Sequence, residues 1–443
     1  MSTYLRVLRH RDFRYLFAGQ AASVVGDRLV VVALALFIAQ RTGSASDLGL
    51  VLGAQSLPLV ALILFGGVWA DRLPRHRIML VADALRAALH GALAVLIFTG
   101  AVAIWQVVAI EALFGGAQAF FEPAYSGLLP QTVPESLVQD ARALTESVAN
   151  VAMLLGPALA TALVLGVGAG EAFAIDAATF VFSALLLTRV HPRPRGESAA
   201  AGSMLHELRV GFREVRSRTW VWVIIAVFTG AVLCVYAQWF ALAPVIARDA
   251  YGGAGVFGVL EAIVGTGAVC GALLALRWQP ERPLLTGMLL VLAWPIEAGA
   301  FALHAPLGFV LAWSFASGFG FSLLMIWWET ALVRHIPPGA LSRVSAWDWM
   351  GSLALLPFGY LVAGPLAEMF GPATVLAVGS AVGVVLLLVG LLPRSVRELG
   401  GEPTRERFTE SSAQQLAGQV EIEPGGEAQV AHVDPLVGTV DQR

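Results

Sequence analysis

Along this chain, apolar stretches of about 20 residues, long enough to cross a bilayer as helices, are separated by short polar segments rich in Arg, Gly and Pro. Windows of that length predict spans near residues 14–40, 48–70, 78–99, 101–125, 142–167 and 172–190. A second set follows near 220–247, 254–276, 284–304, 307–331, 345–367 and 373–393. The first stretch is too long for a signal-peptide core and lacks a small-residue cleavage pattern, so it reads as a retained span. The fold class expected is all-α and integral to the membrane, with twelve transmembrane helices. The segment 191–219 is the one long polar interruption and divides the runs six and six. Within it, Leu205, Leu208 and Phe212 fall among charges at the spacing of an amphipathic surface helix. The organisation predicted is an N-terminal six-helix bundle over 1–190, a central loop over 191–219, a C-terminal bundle over 220–395 and a tail over 396–443. That tail is polar and acidic, through Glu402, Glu406, Glu410, Glu421, Glu423 and Glu427, and is expected to be disordered.

Composition sharpens this picture. Of the 443 residues, 57% are hydrophobic and 13% charged, against about 25% charged in soluble domains. Every basic residue is Arg, and their placement sets an orientation, because cytoplasmic loops retain basic residues. Arg6, Arg9, Arg11 and Arg14 precede the first span, Arg72, Arg75 and Arg77 follow the second, and the central loop and the segment after the last span hold more. The opposite face holds only Arg41 and Arg248. Both termini are therefore expected in the cytoplasm, with the protein multi-pass in the cell membrane. No basic patch stands clear of the loops, which argues against nucleic acid as a partner. Cys234 and Cys270, both within apolar runs, read as packed side chains. No metal-ligand spacing is present, no cofactor motif is seen, and a chain without Lys has no Gly-rich nucleotide loop ending in Lys-Ser or Lys-Thr. An enzyme is not expected.

An internal repeat is also visible. Gly67 and Gly271 are 204 residues apart, as are Pro134 and Pro338, each at the same place in its half. Parallel halves of this kind carry a substrate site between them near the midplane in one class of transporter. After the second span comes GGVWADRLPRHR, in which Gly67, Asp71, Arg72, Arg75 and Arg77 match a loop signature of the major facilitator superfamily, with Pro74 where Gly is usual. The stretches FFEPAYSGLLPQTVPESLVQDARAL and RHIPPGALSRVSAWDWMGSLALLPFGYLVAGPLA resemble its drug and siderophore exporter branch, which includes enterobactin exporters and macrolide efflux proteins. The resemblance covers about residues 5–395 and implies two pseudo-symmetric six-helix bundles, a small-molecule substrate, protons as coupling ions, and a monomer in the lipid bilayer. It also implies that Asp71 caps the eleventh span and pairs with Arg to close the cytoplasmic side; the repeat copy has Ala275 there. Of the antiporter motif on the fifth span only Gly156 and Pro157 remain, with Ala152, Ala160 and Thr161 where glycine is usual.

Ionisable groups in mid-membrane are costly, about 2.5–3.5 kcal/mol each on insertion scales, and mark function or pairing. Asp27, in the middle of the first span, is the leading proton-coupling candidate, against a structural pair with an Arg. Glu111 and Glu122 are eleven residues apart on the fourth span and share a face, about 16 Å apart, expected to look into a cavity; both are proton-coupling candidates, with attraction of a cationic substrate as the alternative for Glu111 and a gate or kink partner as the alternative for Glu122. Glu261 and Glu297 are further proton-coupling candidates. Asp83 and Arg86, at i and i+3, read as a structural pair. Asp176, in the first turns of its span, reads as structural too, and Glu329 and Asp348 as snorkelling or latch groups near span ends. Tyr236, Gln238 and Trp239 are candidates for lining a substrate cavity, whereas Trp327, Trp328, Trp347 and Trp349 read as interfacial anchors. The best-supported activity is proton-coupled export of amphipathic small molecules such as drugs, macrolides or siderophores. Proton-coupled import and a transport-inactive receptor or assembly partner are the alternatives.

Overall fold

The computed structural model describes residues 6–193 and 204–400, and among these the regular structure is helical. The first half comprises α1 (Arg11–Arg41), α2 (Ala45–Arg72), α3 (Arg75–Phe98), α4 (Ile104–Thr132), α5 (Val138–Gly166) and α6 (Ala169–Leu187). After α7 (Met204–Ser217) come α8 (Thr219–Ala250), α9 (Gly255–Ala275), α10 (Pro283–Ala302) and α11 (Leu307–His335). The last two are α12, Pro338–Leu353 continuing as Leu356–Phe370, and α13 (Pro372–Gly390). Among the described residues eleven helices are long and apolar enough to cross a membrane, and twelve if the bent stretch Glu135–Ala152 with Leu155–Gly166 is one span.

Helices α1 and α2 run a few residues past their apolar windows at both ends, where polar end groups find partners, whereas α9 stays within its window. Pro283 and Pro372 start their helices at positions that need no backbone donor. The central segment forms the helix α7, with Phe212 packed on Trp347 of α12 at 5.1 Å between ring centroids. The side chains of Leu205 and Leu208, and the acidic stretch 401–443, lie outside the described residues. Val396 is fully buried and Arg394–Arg397 forms a short helical turn.

The two halves pack alike. The pair α2 and α4 corresponds to α9 and α11, α3 and α6 to α10 and α13, and α1 and α6 to α8 and α13. The equivalence extends to how backbones approach. A side-chain carbon on Gly115 would stand 1.9 Å from the Gln55 carbonyl oxygen, and one on Gly318 would stand 1.8 Å from that of Val264. Small residues permit such contact where lipid supplies no hydrophobic drive between helices. Gly67 has nothing within 4 Å of its side-chain position, whereas its neighbour Gly66 lies against Ala119 of α4.

The halves join through α2 with α12 and through α5 with α9, the same pair of contacts with the halves exchanged. These contacts gather at the end holding the α1–α2 turn. Ser46 there donates a hydrogen bond to Glu368, and a side chain on Gly364 would meet the Ser46 Cα at 2.3 Å. Arg248 donates to the Ala39 carbonyl at 3.2 Å, tying off the last turn of α1. Its guanidinium fills the place a side chain on Gly43 would take. At the other end Glu146 of α5 and Glu329 of α11 lie within electrostatic reach across the halves, and both are exposed. With both carboxylates exposed, the crevice between the halves is open at that end.

Two expectations are corrected. Trp327 and Trp328 are each 3% exposed, with Trp328 donating to Asp348 at 2.8 Å, so they are packed inside α11's contacts; Trp349 is exposed, as are Trp69 and Trp222. Cys270 is exposed and Cys234 half-buried, and both are free thiols.

Replacing Gly115 by Leu forces the α2–α4 backbones apart and is expected to destabilise the fold by about 1–3 kcal/mol. Thermal unfolding of the detergent-solubilised protein measures this, and Gly67→Ala, in open space, should leave Tm unchanged or slightly raised.

Candidate functional site

The functional candidates start from one face of α3. Asp83, Arg86 and His90 stand at i, i+3 and i+7 and point together between α4 and α6. Each is at most 2% exposed, as are Glu111 of α4 and Asp176 of α6. Arg86 pairs with Asp83, and its guanidinium lies over the rings of Phe121 and Phe180 at 4.1 and 4.3 Å. Aromatic faces supply part of the stabilisation that water would otherwise give the cation. His90 Nδ1 lies 2.5 Å from Asp176 Oδ2, and Nε2 lies 3.6 Å from Glu111 Oε1. Its ring stacks on Phe114 with centroids 4.1 Å apart and meets Phe173 edge-on at 5.4 Å.

The crevice wall carries a second set. Asp27 of α1 is half-buried and interacts electrostatically with Asp176, Arg86, His90 and Glu122. Glu122 is exposed, and so is Arg28, which lies within electrostatic reach of Glu122 and of Tyr236 in the other half. The face of α4 shared by Glu111 and Glu122 is therefore not wholly a cavity wall: Glu111 is sealed in the first half against His90, and Glu122 meets the crevice. The gap between them along the helix places them at different depths.

In the second half, Trp239 donates to Glu261 at 2.7 Å and packs on Phe301, with ring centroids 5.4 Å apart. Tyr236 packs on Phe240 at 4.7 Å. A π-helical turn over Val232–Tyr236 precedes these aromatics, and such turns re-aim side chains within a helix. Gln238 is 4% exposed and donates to the Gly359 carbonyl of α12 at 3.1 Å, tying two helices together; Trp239 is equally buried at 4%, so of the three candidates Tyr236 is the one partly exposed. Glu297 is 2% exposed beside the buried Ser314 and Ser317 of α11 and within electrostatic reach of Glu261.

The loop signature divides. Arg75 donates to the Gly127 carbonyl at 2.6 Å and to the Ala70 carbonyl at 3.2 Å, fastening the α2–α3 turn to α4 within the first half. Arg72 and Arg77 are exposed, and the side chain of Asp71 lies outside the described residues. On α5, Gly156 lets α1 approach, since a side-chain carbon there would stand 2.5 Å from Arg28 Cβ. The Pro157 carbonyl accepts from Thr161 at 2.7 Å, and Thr161 fits against Gly258 of the other half, so the glycine of this contact sits on α9. An apolar groove between α1 and α5, lined by Val25, Val148, Val151 and Leu155, lies beside Gly156.

Residues 2–304 match the protein family described as transmembrane secretion effector. The chain belongs to this family of the major facilitator superfamily. It is 25% identical over 398 residues to the uncharacterized MFS-type transporter YvqJ of Bacillus subtilis, covering 86% of this chain and 91% of the relative. It is 28% identical to the multidrug efflux pump Tap of Mycolicibacterium fortuitum, over 87% of this chain and 96% of that one. Macrolide efflux protein A of Streptococcus pyogenes is 26% identical over 59% of this chain and 65% of its own length. Among solved structures, the nucleoside transporter NupG superposes with a TM-score of 0.64 at 13% identity, covering 88% of this chain and 98% of NupG. A bacterial homologue of the human lysosomal transporter Spinster, inward-facing and unoccupied, superposes with a TM-score of 0.60 at 18% identity, covering 88% of this chain and 96% of that one. These likenesses show the major facilitator fold. The chain is a multi-pass membrane transporter and not an enzyme.

Sequence reasoning passed over His90 altogether and treated Asp176 as a structural acid near a helix end. The signal for both was the polar stripe 83, 86, 90 on an otherwise apolar span, whose third member needed a partner on another helix.

Arg86→Met should leave Asp83 buried without its cation and destabilise the protein by about 3–5 kcal/mol, whereas Asp83→Leu with Arg86→Met should recover most of that loss. Thermal unfolding in detergent measures both.

Proposed function

We propose that the chain is a proton-coupled exporter of amphipathic small molecules, lying in the cell membrane with both termini in the cytoplasm. The observation that carries this reading is the crevice between the halves: the partly or wholly exposed acids Asp27, Glu122 and Glu261 and the ring of Tyr236 face it, it is closed at the α1–α2 end, and its Arg-rich end carries exposed carboxylates. A carboxyl in such a path releases its proton to one side and takes another from the opposite side as the halves rock. An amphipathic substrate finds apolar surface at Tyr236, backed by the buried Trp239 that holds Glu261, and charge at Asp27, Glu122 and Glu261. The efflux pumps among the relatives support export over import.

Domain roles follow from the same reading. The bundles 1–190 and 220–395 move as the rocking bodies, linked by 191–219, and the protein works as a monomer. Ser46–Glu368 and Arg248 hold the outer end shut, and Asp71 with its neighbouring arginines holds the cytoplasmic end when that end closes.

The test uses inverted membrane vesicles acidified inside, with erythromycin as probe. Export predicts accumulation inside the vesicles, limited to about tenfold per pH unit for each proton exchanged, and collapse of the accumulated pool when the gradient is dissipated. Loss of preloaded erythromycin under the same gradient would establish uptake instead. Asp27→Asn should abolish uphill accumulation, and accumulation at the wild-type rate would remove Asp27 from coupling.

A further inference from the structure

We propose that Arg28 of α1 and Tyr236 of α8, which stand on opposite walls of the crevice, bind the anionic group and the aromatic ring of a substrate that carries both. The inference gives the crevice a substrate class and rests on the exporter reading for transport; the binding site itself does not.

Arg28 stands near the middle of α1, where an ionisable group is costly unless it has a partner or a use. The other arginine deep in this half shows what a partner looks like: Arg86 is 2% exposed, paired with Asp83 and laid over the rings of Phe121 and Phe180. Arg28 has nothing comparable. Among the described residues its side chain makes no ion pair, hydrogen bond or ring contact, and it is exposed. Glu122 lies within electrostatic reach of it but not in ion-pair contact. Adjacent helix residues point about 100° apart, so Arg28 is directed away from the His90 and Asp176 that Asp27 meets. It leans on α5 instead. A side-chain carbon on Gly156 would stand 2.5 Å from Arg28 Cβ and 3.5 Å from its Cγ. The bare glycine therefore holds the stem against α5 and leaves the guanidinium, a rigid fork of five N–H donors, to the crevice.

The opposite wall supplies the ring. Tyr236 is partly exposed and lies within electrostatic reach of Arg28. Its own ring is backed by Phe240, with centroids 4.7 Å apart, and by Trp294 edge-on at 6.5 Å, so it presents a supported aromatic surface. An aromatic ligand gains stacking or edge contact there beyond the area it buries. Glu261, the acid on that wall, is engaged by the Trp239 indole at 2.7 Å. A planar or tetrahedral anion accepts two N–H bonds from the guanidinium fork at once, a stronger and more directional contact than a single charge offers. The carboxylates nearby, Asp27, Glu122 and Glu261, repel an anion that Arg28 does not hold directly. Selection therefore falls on ligands that reach the guanidinium and the tyrosine together.

The experiment is calorimetric titration of the purified full-length protein with naphthalene-2-sulfonate, an aromatic anion whose charge does not vary with pH. Wild type is expected to bind it about tenfold more tightly than the neutral naphthalene-2-sulfonamide. It should also bind it about tenfold more tightly than methanesulfonate, which keeps the charge without the ring. Arg28→Gln should abolish the preference for sulfonate over sulfonamide, and Arg28→Lys should restore part of it. Equal affinity of wild type for sulfonate and sulfonamide overturns the site, as does a preference that survives Arg28→Gln or methanesulfonate binding as tightly as the naphthalene compound. Should Arg28→Gln fail to fold, Tyr236→Leu decides: a loss of about threefold for the sulfonate is expected, and unchanged affinity overturns the proposal. In the acid-inside vesicles the sulfonate is expected to accumulate with wild type. If erythromycin accumulates there and the sulfonate does not, the substrate class is overturned. If neither accumulates, the exporter reading fails, and the calorimetry decides on the binding site alone.

Discussion

Hydrocarbon offers no water to a polar group, and this constraint shapes every part of the molecule that is not apolar. Backbone amides are satisfied inside helices. Side-chain charges are satisfied only by one another, by aromatic faces or by the crevice. The first half shows the consequence most fully: Asp83, Arg86, His90, Glu111 and Asp176 assemble from three helices because each alone in lipid would cost more than its helix gains from apolar contact. Arg86 is the hinge of this arrangement, one cation placed against a carboxylate and two phenyl rings at once. The alignment of α3 with α4 and α6 is set by these contacts as much as by packing.

The same constraint separates the two halves in chemistry. The second half holds fewer internal charges and satisfies them more simply, with the Trp239 indole on Glu261 and serines beside Glu297. Its helices are more often interrupted, by the π turn in α8 and the breaks in α10 and α12. A charge-laced half therefore faces a more irregular, aromatic half.

Closure at the α1–α2 end is built from few elements. Small residues allow α2 and α12 to touch, and single polar bonds, Ser46 to Glu368 and Arg248 to Ala39, hold the contact. Such contacts are individually weak. The exposed, like-charged pair Glu146 and Glu329 works against closure at the opposite end unless neutralised.

The number of spans, their approximate limits, the six-and-six division and the family were legible in the sequence, because they depend on properties local to the chain: apolar length, Arg placement, and the Gly67–Arg77 signature. The Asp83–Arg86 pair was legible for the same reason, its two members being one helical turn apart. Partnership across helices was not. Nothing local to His90 marks it as the centre of a charge cluster, nothing local to Gln238 shows that it faces α12 while Trp239 faces Glu261, and Trp327 and Trp328 look like anchors until Trp278 packs on the first and Trp220 and Asp348 meet the second. Glu111 and Glu122 share one helical face, yet only the neighbouring helices decide that one is sealed and the other wet. Helix periodicity specifies direction around a single axis, whereas burial depends on what occupies that direction, and in this protein that is supplied by residues tens to hundreds of positions away.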